Sequence, residues 1–191
     1  MNQQTGGPAS AEPDPPQIVP AIDDDLPQIV GILNDSAARS IASFDTQPVS
    51  VAERRDWFEQ FGPSGPYRLL VARRGRRVLG FACSRRYRAH EAFRETVEFS
   101  IAIDASCRGQ GLGTSLYREL SDCLADEPVH VALAGIAVPN DASVALHRKF
   151  GFTEVGTFRE YAVKNGQYIS SLWMQLLITE DTTGPSTSHL P

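Results

Sequence analysis

Residues 96–113, TVEFSIAIDASCRGQGLG, limit what this chain can fold into more than any other stretch. The first half alternates: Val97, Phe99, Ile101 and Ile103 share one side, and Thr96, Glu98, Ser100 and Ala102 the other. A two-residue period is a strand with two different faces. It leaves Glu98 as a carboxylate among small and hydroxyl-bearing neighbours. The second half, Arg108-Gly109-Gln110-Gly111-Leu112-Gly113, runs into the helix-like Thr114-Ser115-Leu116-Tyr117. Glycines let backbone N–H groups approach a ligand closely, and a helix start adds unpaired donors and partial positive charge. The stretch is therefore either a tight turn alone or a cradle for a phosphate or pyrophosphate.

A dinucleotide fold would put G-x-G-x-x-G directly after its first strand, with an acidic residue about 20 positions on. Here the loop lies mid-chain and reads R-x-x-G-x-G. That pattern, behind a carboxylate-bearing strand, resembles the acetyl-CoA pyrophosphate loop of the GNAT N-acetyltransferases.

The flanking sequence reads in order. Residues 1–16 are rich in Pro, Gly, Ser and acid, and are expected to form a disordered tail. A first strand is expected at 17–20, then an Asp23-Asp24-Asp25 cap and a helix with Leu26, Ile29, Val30 and Leu33 at helical spacing. Residues 40–48 form a loop with one large aromatic, Phe44. Ser50 and Glu53 make a capping box for a second helix bearing Trp57, Phe58 and Phe61. A hairpin follows, 67–72 and 78–85, turning at Arg74-Gly75-Arg76.

After the 96–103 strand come an amphipathic helix at 111–124 and an apolar run at 129–138, as in a strand covered on both faces. Asn140-Asp141 caps a short helix through Phe150, which Gly151 stops. Strands at 152–163 and 168–178 turn at Asn165-Gly166, and 179–191 is a polar tail. The order predicts a single domain at 17–178, a mixed α/β sheet of about seven strands and about four helices, not a doubly wound one.

Length and charge narrow the function. At 191 residues and net charge −5 the chain lacks the overall basic charge of a nucleic-acid binder. Arginines crowd residues 68–94, which makes either a solvated hairpin or an attraction for an anionic ligand. Cys83, Cys107 and Cys123 are odd in number and form no C-x-x-C, so neither a disulfide framework nor a metal site is expected, and a cytoplasmic location fits. The N-terminus shows no signal-peptide pattern, and no apolar run approaches the ~20 residues of a membrane span.

Amide formation from an amine and a thioester must remove a proton from the amine, stabilise the acyl oxygen and release the thiolate. Glu98 is a candidate base, or else a strand carboxylate paired with an arginine. Asn140, Ser143 and His147 fall on one helical stripe, with Ala142, Leu146 and Phe150 as the stripe expected to be buried. Asn140 serves as a cap, with or without a ligand contact. His147 is a proton donor or a core-edge histidine.

The segments SFDTQP (43–48), AFRETVEFSIAI (92–103) and AGIAVPNDASVALHRKFGF (134–152), with 164–175, resemble the phosphinothricin and methionine-sulfoximine N-acetyltransferase branch of the GNAT family. The resemblance spans residues 17–178. It implies a GNAT-like, mostly antiparallel sheet, acetyl-CoA as donor without a metal, a small amine acceptor, and a homodimer with residues 40–48 and the last strands near the shared surface. It implies Glu98 as general base and His147 where GNAT enzymes often carry a tyrosine acid. It assigns Ile101, Ala102 and Ile103 to the pantetheine arm, Arg108, Gly109, Gln110, Gly111, Leu112, Gly113 and Thr114 to the pyrophosphate, and Asn140 to the cofactor. Phe44, Arg86, Arg88, His90 and Tyr168 fall where the acceptor is expected.

This chain has His90 where the branch usually has arginine, and Lys164-Asn165-Gly166-Gln167-Tyr168-Ile169-Ser170 where the branch tends toward K-F-G-R-W-x-D. Those changes bear on the acceptor. A peptide N-terminal acetyltransferase and a non-catalytic acyl-CoA-binding regulator are the alternative readings.

Overall fold

Seven strands form one sheet in the order β1-β2-β3-β4-β5-β7-β6. They are β1 (Gln17–Pro20), β2 (Arg68–Arg74), β3 (Arg77–Arg86), β4 (Thr96–Ile103), β5 (Val131–Val138), β6 (Thr153–Lys164) and β7 (Gln167–Leu177). The computed structural model describes residues 14–178, so the expected C-terminal tail and all but residues 14–16 of the N-terminal one lie outside the described residues. Every pairing is antiparallel except β4 with β5. The helices are α1 (Leu26–Arg39), α2 (Arg55–Phe58), α3 (Leu112–Leu124) and α4 (Asp141–Lys149).

The alternation of β4 sorts the core into two layers. Val97 and Phe99 pack with α3 and β5 residues such as Leu116, Leu120, Ala132 and Ile136, with Ile101 and Ile103 at the margin. On the other face, Ala102 borders a cluster of Phe81, Cys83, Ile29 and Ile32, with Trp57 and Phe61 of the α2 region. Glu98 shares this second face by period. Helix α3 forms because Leu112, Leu116, Leu120 and Leu124 recur every fourth residue; all are buried. Each such leucine contributes about 1.5–3 kcal/mol.

Some boundaries differ from expectation. The Ser50–Glu53 box is present, with Ser50 N–H donating to Glu53 Oε2 (2.7 Å) and Glu53 N–H to Ser50 Oγ (3.2 Å). Residues 51–54 are nevertheless turns, and regular helix is confined to Arg55–Phe58. In the first hairpin a tight turn at Gly75-Arg76 lets pairing run out to Arg74↔Arg77. The fifth strand starts at Val131, because His130 and Val131 both donate to Glu95 O before the ladder begins. On α4 the buried residues are Val144 and His147, whereas Ala142 is exposed. Leu146 and Phe150 pack half-buried on the core as expected, and of the polar stripe only His147 is turned fully inward.

Candidate active site

Strands β4 and β5 are eight residues long, yet they pair only at Thr96↔Val131, Val97↔Ala132 and Glu98↔Leu133. Past Glu98 they part. Ile101, Ala102 and Ile103 keep their partners on β3, and residues 135–138 keep theirs on β7. The facing edges carry backbone N–H and C=O groups with no ladder between them, a slot suited to an extended ligand with amides of its own.

The slot leads to the glycine loop. Asp104 starts a short 3₁₀ turn at Ala105–Cys107, and its Oδ1 accepts from Ser106 N–H (2.8 Å) and Ser106 Oγ (2.7 Å). These bonds from Ser106, with Arg77 adding to them, hold the Asp104 carboxyl below the usual carboxylate range. Gly109 (φ 74°) and Gly111 (φ 79°) take left-handed conformations that favour glycine, and Gly111 is the N-cap of α3. The first bond of α3 runs from Ser115 N–H to Gly111 O (3.2 Å), which leaves the preceding N–H groups for a ligand. A Cβ on Gly113 would come within 3.2 Å of Leu146 Cδ2 and 3.6 Å of Ile101 Cδ1. The helix start is thereby seated against both α4 and β4.

Leu112 is buried in the core, Arg108 is exposed, Gln110 bonds Ser106 O (3.4 Å), and Thr114 Oγ1 accepts from Lys149 Nζ (3.3 Å). An open cleft of about 420 Å³ beside the loop is lined in part by Arg39, Arg77, Ile103, Asp104 and Arg108. Asn140 caps α4 by accepting from Ser143 N–H (3.2 Å).

Glu98 occupies the last shared rung. Its Oε1 accepts from Arg85 Nη2 at 2.6 Å, and its side chain is 15% exposed. Among the described residues no other group bonds it, so Oε2 is open. The arginine-paired alternative for Glu98 and its place at the slot apex thus occur together.

His147 lies on the other side of the sheet, 3% exposed, edge-on to Tyr117 and Phe152. Its Nδ1 is 2.7 Å from Ser143 O, which only an N–H can serve, so Nε2 is the acceptor for Tyr117 O–H at 2.9 Å. Burial lowers the imidazole pKa, against a smaller upward effect of the Ser143 bond. Burial pushes the Tyr117 hydroxyl well above its ordinary value, so it stays a donor. Both ring nitrogens of His147 are occupied.

The acceptor candidates separate. Phe44 packs edge-on against Tyr161 (5.8 Å), which meets Phe158 (5.6 Å), then Trp173 (6.3 Å), Tyr87 (6.2 Å) and Phe93 (5.5 Å). This aromatic row crosses the Glu98 side of the sheet. The Arg88 guanidinium stacks on Tyr87 and Phe93. His90 Nδ1 accepts from Ala92 N–H (3.1 Å) and its ring lies near Phe93. Arg86 ends β3, exposed. Tyr168 is not brought in: it is 70% exposed and shares parity with Leu172 and Leu176, which pack on the α3 side.

Sequence reasoning missed Arg85, Tyr87, Trp173 and Lys164. Lys164 is buried and donates to Ser40 O (2.8 Å) and Ser43 O (2.7 Å), tying the Phe44 loop to the β6–β7 hairpin. The alternation Ile169-Ser171-Trp173-Gln175 held the signal for Trp173. Among the described residues no cluster of metal-binding side chains occurs, and no helix is long and apolar enough to cross a membrane.

Residues 31–152 match the acetyltransferase (GNAT) family. A phosphinothricin N-acetyltransferase of Streptomyces coelicolor is 40% identical over 83% of this chain and 94% of its own length. An L-methionine sulfoximine/L-methionine sulfone acetyltransferase of Pseudomonas aeruginosa is 34% identical over 84% of this chain and 94% of its own. The crystal structure of a Sinorhizobium meliloti phosphinothricin acetyltransferase in complex with acetyl-CoA superposes with a TM-score of 0.80 at 30% identity, covering 91% of this chain and 94% of that one. With its parted parallel strands and glycine loop, this chain belongs to the GNAT family of N-acetyltransferases.

Proposed function

We propose that this enzyme moves the acetyl group of acetyl-CoA to the primary amine of a small amino-acid-like acceptor, of the phosphinothricin or methionine-sulfoximine kind, with Glu98 as general base. The observation that carries this reading is the place of Glu98, on the last rung before β4 and β5 part and beside the aromatic row. The pantetheine arm would run along Ile101–Ile103 toward the Arg108–Thr114 loop. Five strand residues from Glu98 to Ile103 span about 17 Å, which separates the chemistry from the phosphates.

The steps balance without further reagents. The neutral amine attacks the thioester carbon, the C–S bond breaks, and the sulfur leaves as thiolate. Glu98 Oε2 takes the proton that the nitrogen loses, while Arg85 holds Oε1. His147 has no free nitrogen to offer the thiolate, so its part is to position Tyr117 and α4.

Free thiol released from acetyl-CoA across a panel of amino-acid analogues and peptides tests the reading. Acetylation of peptide N-termini, with none of the amino-acid analogues turned over, would overturn it.

We infer a homodimer as well. Val155, Phe158, Tyr161, Val163 and Tyr168 of the β6–β7 hairpin are exposed, more apolar surface than a lone edge strand normally shows. Light scattering that finds only monomer at micromolar concentration would remove it. The three free cysteines fit a cytoplasmic location.

A further inference from the structure

Two polar atoms of β7 are buried without a partner among the described residues: Trp173 Nε1 and Ser171 Oγ. Ser171 is 0% exposed. Both residues lie on the Glu98 face. They pair across β5 with Gly135 and Ala137, which share the parity of Leu133, the partner of Glu98. Two residues along a strand puts them about 7 Å apart.

The Trp173 ring lies across Gly135, where a Cβ would meet Cζ2 at 3.1 Å and Cε2 at 3.2 Å. Cε2 is bonded to Nε1, so the N–H edge of the indole sits over β5, the strand that borders the slot. The ring contact with Tyr87, just past the end of β3, reaches over both β4 and β5. A native protein seldom leaves a buried donor unpaired, because such a group has given up water for nothing. Here two of them lie on the face of the sheet that carries Glu98, at the Gly135 and Ala137 rungs of the strand bordering the slot.

We propose that Trp173 Nε1–H and Ser171 Oγ–H are the specificity-determining donors that read a neutral S–O oxygen on the acceptor's side chain. This rests on the acceptor reading above and adds the residues that select within it. An indole N–H can only donate, so its partner is an acceptor atom. Both donors are neutral, which suits a polar oxygen better than a full carboxylate. A guanidinium matches the carboxylate, and Arg88 holds one on the same aromatic row. Phe158, more than half exposed, is the member of the row that can shift to admit the ligand. A thioether at the same place gives these donors only a weak acceptor.

The test uses the full-length enzyme at saturating acetyl-CoA, with L-methionine sulfone and L-methionine, which differ by two oxygens. The readout is the ratio of kcat/KM for the sulfone to that for methionine. Trp173→Phe keeps a ring and removes the N–H; Ser171→Ala removes the hydroxyl. Each is expected to lower the ratio roughly tenfold or more, chiefly through KM for the sulfone. Acetyl-CoA affinity by calorimetry shows that a variant is folded, and either variant suffices if the other is not. An unchanged ratio in a folded variant would overturn the proposal. If the wild type turns over neither compound, this inference fails; the acceptor reading fails with it only if no other amino-acid analogue is turned over either. Wild-type turnover with an unchanged ratio sinks this inference alone.

Discussion

Glu98 Oε1 lies 2.6 Å from Arg85 Nη2, and the two residues face each other directly across the β3–β4 ladder. The guanidinium fixes one carboxylate oxygen and leaves the other for the proposed role of base. Glu98→Gln keeps the shape and loses the base. Turnover is expected to fall about 10²–10⁴-fold on a good acceptor. Acetyl-CoA affinity should hold, because the mutation leaves the slot backbone and the glycine loop alone. Unchanged turnover in a folded variant would assign Glu98 to the ion pair only.

The loop carries the second prediction. Gly111 caps α3 at φ 79°, where a β-branched residue is strained by about 1–2 kcal/mol before any ligand contact is counted. Gly111→Val should therefore weaken acetyl-CoA binding strongly. Arg108→Ala should weaken it by about 1 kcal/mol. Calorimetry on both variants decides. Wild-type affinity in Gly111→Val would move the phosphates away from this loop.

The third concerns pH. The buried His147 imidazole has a pKa below its ordinary value. In the unfolded chain it protonates near 6.5. Between its folded and unfolded pKa values the unfolded state binds more protons, so stability falls as pH drops below about 6.5. The slope from this group cannot exceed about 1.4 kcal/mol per pH unit, the limit for one proton. Thermal midpoints measured from pH 7.5 down to 5 should show the decline, and His147→Gln should flatten it. An equal slope in the variant would place the titration elsewhere.

Lys164 supports the fourth. The residue is 5% exposed, and its ammonium serves two carbonyls of the Phe44 loop, Ser40 O and Ser43 O. Lys164→Met retains the stem and leaves both carbonyls without their donor, a loss of about 1–3 kcal/mol. Denaturant melts measure the stability loss. KM for the acceptor should rise together with it, because Phe44 is carried on that loop. A stability loss with KM unchanged would separate the loop from acceptor binding.

Much of this was legible in the chain. The alternation of residues 96–103 gave the faces of β4, since one strand's period needs no partner. Leucine at every fourth position gave α3, and positive φ at Asn165 and Gly166 fits the turn read there. The direction of the α4 stripe was not legible. Offsets of three and four say which residues share a side, and only packing against Tyr117 and Phe152 says that His147 is the one turned in. Arg85, Tyr87 and Trp173 escaped for a related reason. The importance of Arg85 comes from the β3–β4 register, and that of Tyr87 and Trp173 from strand order, which brings β7 toward the end of β3 across two strands. The stop in the β4–β5 ladder leaves no mark in two apolar runs.

That stop makes the sheet a pair of leaves hinged at Glu98 and Leu133. One leaf, β1 to β4, carries Glu98 and Arg85; the other, β5 to β7, carries Ser171 and Trp173. On the proposed reading the acceptor would be held by both leaves at once, so the spread of the hinge would set how far Glu98 stands from Ser171 and Trp173. A donor lodged between the leaves would fix that spread. Acetyl-CoA would then act as the gauge that sets the acceptor pocket to size, and the kinetics would be sequential, with the thioester arriving first and the amine second.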